Sequence, residues 1–97
     1  MVQMNSIINQ NKRCYVCGSA SNLHLHHIMF GKNRKNADAD GLTCYLCWQH
    51  HEGTNGVHGK NGHDLDMKLK KVAQYKWCEY YDKNMQDFID RYHQWYY

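Results

Sequence analysis

Four cysteines set as two close pairs, Cys14-Tyr-Val-Cys17 and Cys44-Tyr-Leu-Cys47, constrain this chain more than any other feature. A tetrahedral zinc takes four nitrogen or sulfur ligands, commonly two from each of two separate segments. Cys14 and Cys17 form the first pair, with Gly18 closing a tight turn. The second pair is either Cys44 with Cys47 or Cys47 with His50, and geometry favours the latter. Leu42 to Leu46 reads as a short strand, on which Cys44 and Cys47 face opposite ways if the strand runs straight through. Cys47-Trp-Gln-His50 instead puts one ligand at the strand end and the next in a first helical turn. Residues three apart share a helix face. Cys78, the fifth cysteine, lies in a helical segment and reads as core. An odd number of cysteines argues against a closed disulfide framework, and reduced thiols fit a cytoplasmic setting.

A metal staple would matter here, because 97 residues make one small domain whose core alone is barely adequate. The charge is mildly basic, 12 Lys and Arg against 9 Asp and Glu, which admits a polyanionic partner without requiring one. The first residues contain no apolar run of signal-peptide length, and nothing approaches a membrane span.

Residues 1–13 are polar and read as a flexible arm. Leu23 to Met29 reads as a strand running into a loop, and Gly31 to Gly41 as a polar loop bracketed by glycine. Cys47 to Glu52 fits one or two helical turns. Thr54 to Gly62, with Gly56, Gly59 and Gly62, should be irregular. From His63 or Asp64, the positions Leu65, Leu69, Val72, Ala73, Lys76 and Trp77 follow a 3.6-residue period that Tyr80 and Tyr81 continue. Asp82-Lys83-Asn84 breaks that helix. A shorter one follows from Met85 to about Tyr92, with Met85, Phe88, Ile89 and Tyr92 on one face, and Trp95-Tyr96-Tyr97 closes the chain. The expected class is therefore α+β: a small zinc-stapled core followed by one long and one shorter helix.

The chemistry concentrates in histidine. Six of the 8 His residues fall between His24 and His58, around the cysteine pairs. His26 and His27 are adjacent on a strand and so point to opposite sides. One can hold a metal while the other faces elsewhere, toward water, where a neutral imidazole is a suitable general base. His51 and His58 can converge with His26 on one catalytic ion. His24 and His63 carry no such assignment.

These residues, taken in order, resemble the HNH endonuclease family and its ββα-metal, treble-clef-like core, in particular the short HNH proteins of phages and prophages. The resemblance rests on Cys14-x-x-Cys17, Leu23-His24-Leu25-His26-His27-Ile28, Tyr45-Leu46-Cys47-x-x-His50-His51 and Thr54-Asn55-Gly56-Val57-His58. It implies that residues 14–97 form one nuclease domain, with 63–97 as a helical extension. His26, His51 and His58 would be ligands of a catalytic Mg²⁺, Mn²⁺, Ni²⁺ or Zn²⁺. His27 would be the base that deprotonates water for attack on a DNA phosphodiester, and Cys14, Cys17, Cys47 and His50 would hold structural Zn²⁺. The central Asn of the family has no clear counterpart, since Asn36 comes early and Asp40 offers only a similar oxygen. Lys32, Arg34 and Lys35 would grip flanking phosphates. The setting implied is the cytoplasm of a bacterial host, as monomer or homodimer, with phage packaging or recombination proteins as partners. The competing class is a non-catalytic zinc module that binds DNA or a protein and has no use for the His26-His27 doublet.

Overall fold

The computed structural model describes residues 6–97 and contains six regular elements. They are β1 (Leu23–His27), α1 (Arg34–Asp40), β2 (Thr43–Cys47), α2 (Trp48–His51), α3 (His63–Tyr81) and α4 (Met85–Tyr92). The chain is a small α+β domain. β1 and β2 pair antiparallel, with Leu23 opposite Cys47, His26 opposite Cys44 and His27 opposite Thr43. This register puts His24, His26, Cys44 and Leu46 on one face of the ribbon. The last three of these are buried.

A two-stranded ribbon is marginal by itself and needs packing against helices. Ile28, Met29, Leu42 and Leu46 meet Leu69, Ala73 and Trp77 of α3 and Phe88 and Tyr92 of α4 in one core. α3 begins at His63 and α4 ends at Tyr92, as the periodicity predicts. Asn84 caps α4 by accepting from the Asp87 N–H, while the Asp87 carboxylate accepts from the Asn84 N–H. On α3 the expected Lys76 is exposed, and Gln74 is buried instead. The amide of Gln74 binds both the carbonyl and the N–H of Tyr96, so the tail is held by hydrogen bonds that an apolar period does not register. Tyr96 is buried and Trp95 packs edge-on against Phe88. Met85, expected on the packed face of α4, is exposed.

Gly31 to Gly41 is not the expected loop. It forms a 3-10 turn (Gly31–Asn33) and then α1. Arg34-Lys-Asn-Ala-Asp-Ala-Asp40 contains no helix breaker, Ala37 is buried, and Gly41 ends the helix at φ +82°, a left-handed value that suits glycine. β2 runs one residue later than expected. The flexible arm expected over 1–13 includes residues 1–5, outside the described residues. Ser6 to Asn9, however, are docked: the Ser6 hydroxyl donates to the Thr43 carbonyl and the Ile7 N–H to the Gly41 carbonyl.

One carboxylate ties the helices together. Asp40, at the end of α1, accepts from the Trp77 indole at 2.8 Å, from the Arg91 guanidinium through two nitrogens and from the Tyr92 hydroxyl, while its carbonyl accepts from the Tyr81 hydroxyl. Burial and the Asp40 carboxylate both push the Tyr92 phenol above its ordinary value, so it stays a donor. Removing Asp40 strands three donors at a half-buried site, at a cost of about 2–4 kcal/mol. Asp40→Ala should therefore lower the melting temperature by about 10–20 °C. A loss of only a degree or two in thermal denaturation would show that the hub contributes little.

Candidate metal centres

The Cys14 turn docks beside β2, with the Tyr15 N–H on the Tyr45 carbonyl. That contact brings the turn to the β2–α2 junction, where Cys47 and His50 stand. Cys47 Sγ lies 3.2 Å from His50 Nδ1, Cys14 Sγ lies 3.6 Å from the same nitrogen, and Cys17 Sγ lies 3.8 Å from Cys47 Sγ. A tetrahedral zinc with Zn–S bonds of about 2.3 Å and Zn–N bonds of about 2.0 Å needs sulfurs about 3.8 Å apart and sulfur–nitrogen pairs about 3.5 Å apart. The four donors fit such an ion. Burial pushes the Cys14 thiol up, but backbone N–H groups of Cys47, Cys17 and Val16 outweigh that and bring it down to about 6, as a thiolate ligand requires. Cys44 is excluded. It points into the core opposite His26, where burial first and Cys14 second push its thiol up to about 12. Cys78 is half-buried against the core, and burial raises its thiol as well.

A second group forms on the inner face of the ribbon. His26 from β1, His51 from α2 and His58 from the following loop bring ring nitrogens within 4.8 Å of one another. Ring centroids are 5.2 Å apart for His26–His51, 5.5 Å for His26–His58 and 4.7 Å for His51–His58. His26 is buried, and its Nε2 has no hydrogen-bond partner among the described residues. An unpartnered buried ring nitrogen costs free energy unless something else occupies its lone pair. With two more imidazoles converging on it, a divalent ion fits the donor set. Phe30, half exposed, leans on His26 and His58, and Lys70 lies 4.5 Å over its ring. Neither Phe30 nor Lys70 carries a spacing signal in the sequence.

The loop that delivers His58 is packed rather than loose. Val57 and His58 donate their N–H groups to the carbonyls of His50 and His51, so the loop folds back on α2. A Cβ at Gly59 would lie 1.9 Å from the Gly53 carbonyl oxygen, an approach that only glycine allows.

His27 faces the other way. Its Nδ1 is 2.7 Å from Asp38 Oδ1 on α1, which makes Nδ1 the donor and leaves Nε2 its lone pair. Asp38 also lies 3.6 Å from Arg34. The oxygen beside the doublet thus comes from Asp38, not from Asp40, whose carboxylate is taken by the helix hub, and not from Asn36. Neither spacing nor resemblance points to Asp38, because the polar stretch from Gly31 to Gly41 predicts a loop. Lys32 and Lys35 are exposed on the 3-10 turn and α1, and Arg34 shares its charge with Asp38. His63 is exposed at the start of α3, and His24 meets His51. Among the described residues, no helix is long and apolar enough to cross a membrane. Comparison with family models, curated proteins and solved structures gave no match.

Two measurements probe these centres. Zinc added to metal-free, reduced protein should raise the melting temperature by more than about 10 °C, since binding to a structural quartet is coupled to folding. Cys47→Ser should abolish most of that rise, whereas Cys44→Ala should keep it. Second, burial, followed by neighbouring His51 and His58, pushes His26 down from 6.5 to about 3. In the metal-free chain the unfolded state takes up a proton below about 6.5 and the folded His26 does not. Stability is therefore full above that pH and falls toward pH 3. Urea titrations should show a loss of about 2 kcal/mol between pH 6.5 and 5, in a range above most carboxylate titration. His26→Gln should flatten that slope, and an unchanged slope would remove His26 as its source.

Proposed function

We propose that the chain is a metal-dependent endonuclease of the HNH type that hydrolyses DNA phosphodiester bonds. The observation that carries this reading is buried His26, grouped with His51 and His58, with its Nε2 unpartnered among the described residues. The antiparallel strand pair followed by short α2, with α1 set between the strands and the quartet at the β2–α2 junction, is what supports the ββα-metal core that the resemblance implies. His26, His51 and His58 would hold the divalent ion, and Cys14, Cys17, Cys47 and His50 a structural zinc. The ion would stabilise negative charge on a non-bridging phosphate oxygen and on the leaving 3′ oxygen.

The remaining chemistry falls to the chain itself. His27 takes a proton from water at Nε2. Asp38 accepts a hydrogen bond from Nδ1–H, which fixes the ring tautomer and orientation and offsets the charge of the imidazolium as it forms. The quartet keeps β2 registered on α2, so His51 stays opposite His26. Lys32, on the 3-10 turn, and Arg34 and Lys35, on the α1 that carries Asp38, would neutralise phosphates next to the scissile bond.

The test is nicking of supercoiled plasmid by zinc-loaded protein in Mg²⁺, Mn²⁺ or Ni²⁺. Wild type should nick in at least one ion. His27→Ala should lose activity by about 10²–10⁴-fold, and Asp38→Asn by about 10–100-fold, with both variants keeping the wild-type melting temperature within a few degrees. Absence of nicking in every ion, with DNA still retarded in a gel, would favour the non-catalytic zinc module instead.

A further inference from the structure

His51 has a second set of neighbours besides His26 and His58. Its Nδ1 lies 2.9 Å from His24 Nδ1 and 3.3 Å from Glu52 Oε1. Donor atoms of His24, His51 and Glu52 all lie within 4.8 Å of one another. The placement follows from the fold. His24 stands two residues before His26 and therefore on the same face of β1, and Glu52 ends α2 directly after His51. A tetrahedral ion with bonds of about 2.0–2.1 Å to nitrogen and oxygen keeps its ligands about 3.3 Å apart. The spacing around His51 Nδ1 approaches that value. His24 also lines a surface cleft with Cys17, Asn22, Trp48 and Gln49, which gives an ion a route from solvent.

We infer that His24, His51 Nδ1 and Glu52 form an additional, weaker zinc site, and that His51 is the ligand over which it competes with the His26/His51/His58 centre. The functional consequence rests on the nuclease reading above; the site itself does not. A neutral imidazole has one lone pair and one N–H. When Nε2 serves the first centre, Nδ1 carries the proton and donates to Glu52 or His24. When Nδ1 serves the second site, the proton must sit on Nε2. The exchange releases one proton from Nδ1 to solvent and takes one up at Nε2, so it balances without any co-reactant.

Chemistry also limits which ion can do this. Two imidazoles and one carboxylate suit zinc, whereas Mg²⁺ prefers oxygen ligands and keeps its waters. Glu52 is half exposed, so the site fills only after the quartet and the first centre. Zinc in excess would then draw His51 away from the nuclease ion, which makes the pair of sites a brake on activity.

The experiment uses ¹⁵N-labelled full-length chain with the cysteine quartet already loaded, titrated with zinc chloride. Long-range ¹H–¹⁵N spectra of the histidine rings report which nitrogen is metal-bound. Two phases are expected: metal on His51 Nε2 first, then a shift to Nδ1 accompanied by His24. Glu52→Gln should move the second phase to at least about tenfold higher zinc and leave the first in place. His24→Gln should remove the second phase. The inference is overturned if His51 keeps its Nδ1 proton to saturation, or if neither variant changes the second phase. His26→Gln separates the two readings. Loss of the first phase alone supports both centres, whereas an unchanged first phase defeats the ion site of the nuclease reading and leaves the second phase to decide this one.

Discussion

The antiparallel pairing of β1 with β2 is the constraint on which both centres depend. Opposing His26 to Cys44 sends His24 and His26 to the inner face, where α2 and the His58 loop lie. The same register carries Cys47 to the end of β2, where the chain turns into α2 and His50 comes within reach of it. A slip of one residue would turn every side chain to the other face, replacing His26 by His27 among the imidazoles. The cysteine quartet and the core both oppose that slip. Cys47 must meet Cys14 and Cys17, and Leu46 and Cys44 must stay inside.

A ribbon of ten residues cannot hold that register alone, and the helices supply what it lacks. α3 and α4 cover it through Leu69, Ala73, Trp77, Phe88 and Tyr92, and Asp40 joins α1 to both of them. The hub also explains why α1 is fixed in place. With Asp40 anchored at its C-terminus, α1 presents Asp38, two residues earlier and on the other side of the helix, to His27. Packing far from the centres thus decides the orientation of a side chain within them.

The two histidines of the doublet live in different physical settings. His26 is desolvated and held neutral, with its lone pair available to an ion. His27 is partly exposed and bonded to a carboxylate. One strand supplies both environments because its two faces meet different partners, a loop and α2 on one side and α1 on the other. His51 occupies the crossing point. It belongs both to the group with His26 and His58 and to the group with His24 and Glu52.

Short-range pattern in the sequence determined a good deal. The spacings Cys14-x-x-Cys17 and Cys47-x-x-His50 gave the two halves of the quartet, the 3.6-residue period gave α3 and α4, and the period of two separated His26 from His27, because each of these is local geometry. That the two halves meet, 30 and 36 residues apart, is tertiary. Only the tertiary structure decided the rest. Asp38 reaches His27 because α1 forms between the strands, which polar composition disguised as a loop. Gln74 is buried because the tail returns across α3, a contact 22 residues distant. His24 and Glu52 gain meaning only when β1 and α2 are set side by side, since a residue's ligand partners are chosen by the packing of elements and not by its neighbours in the chain.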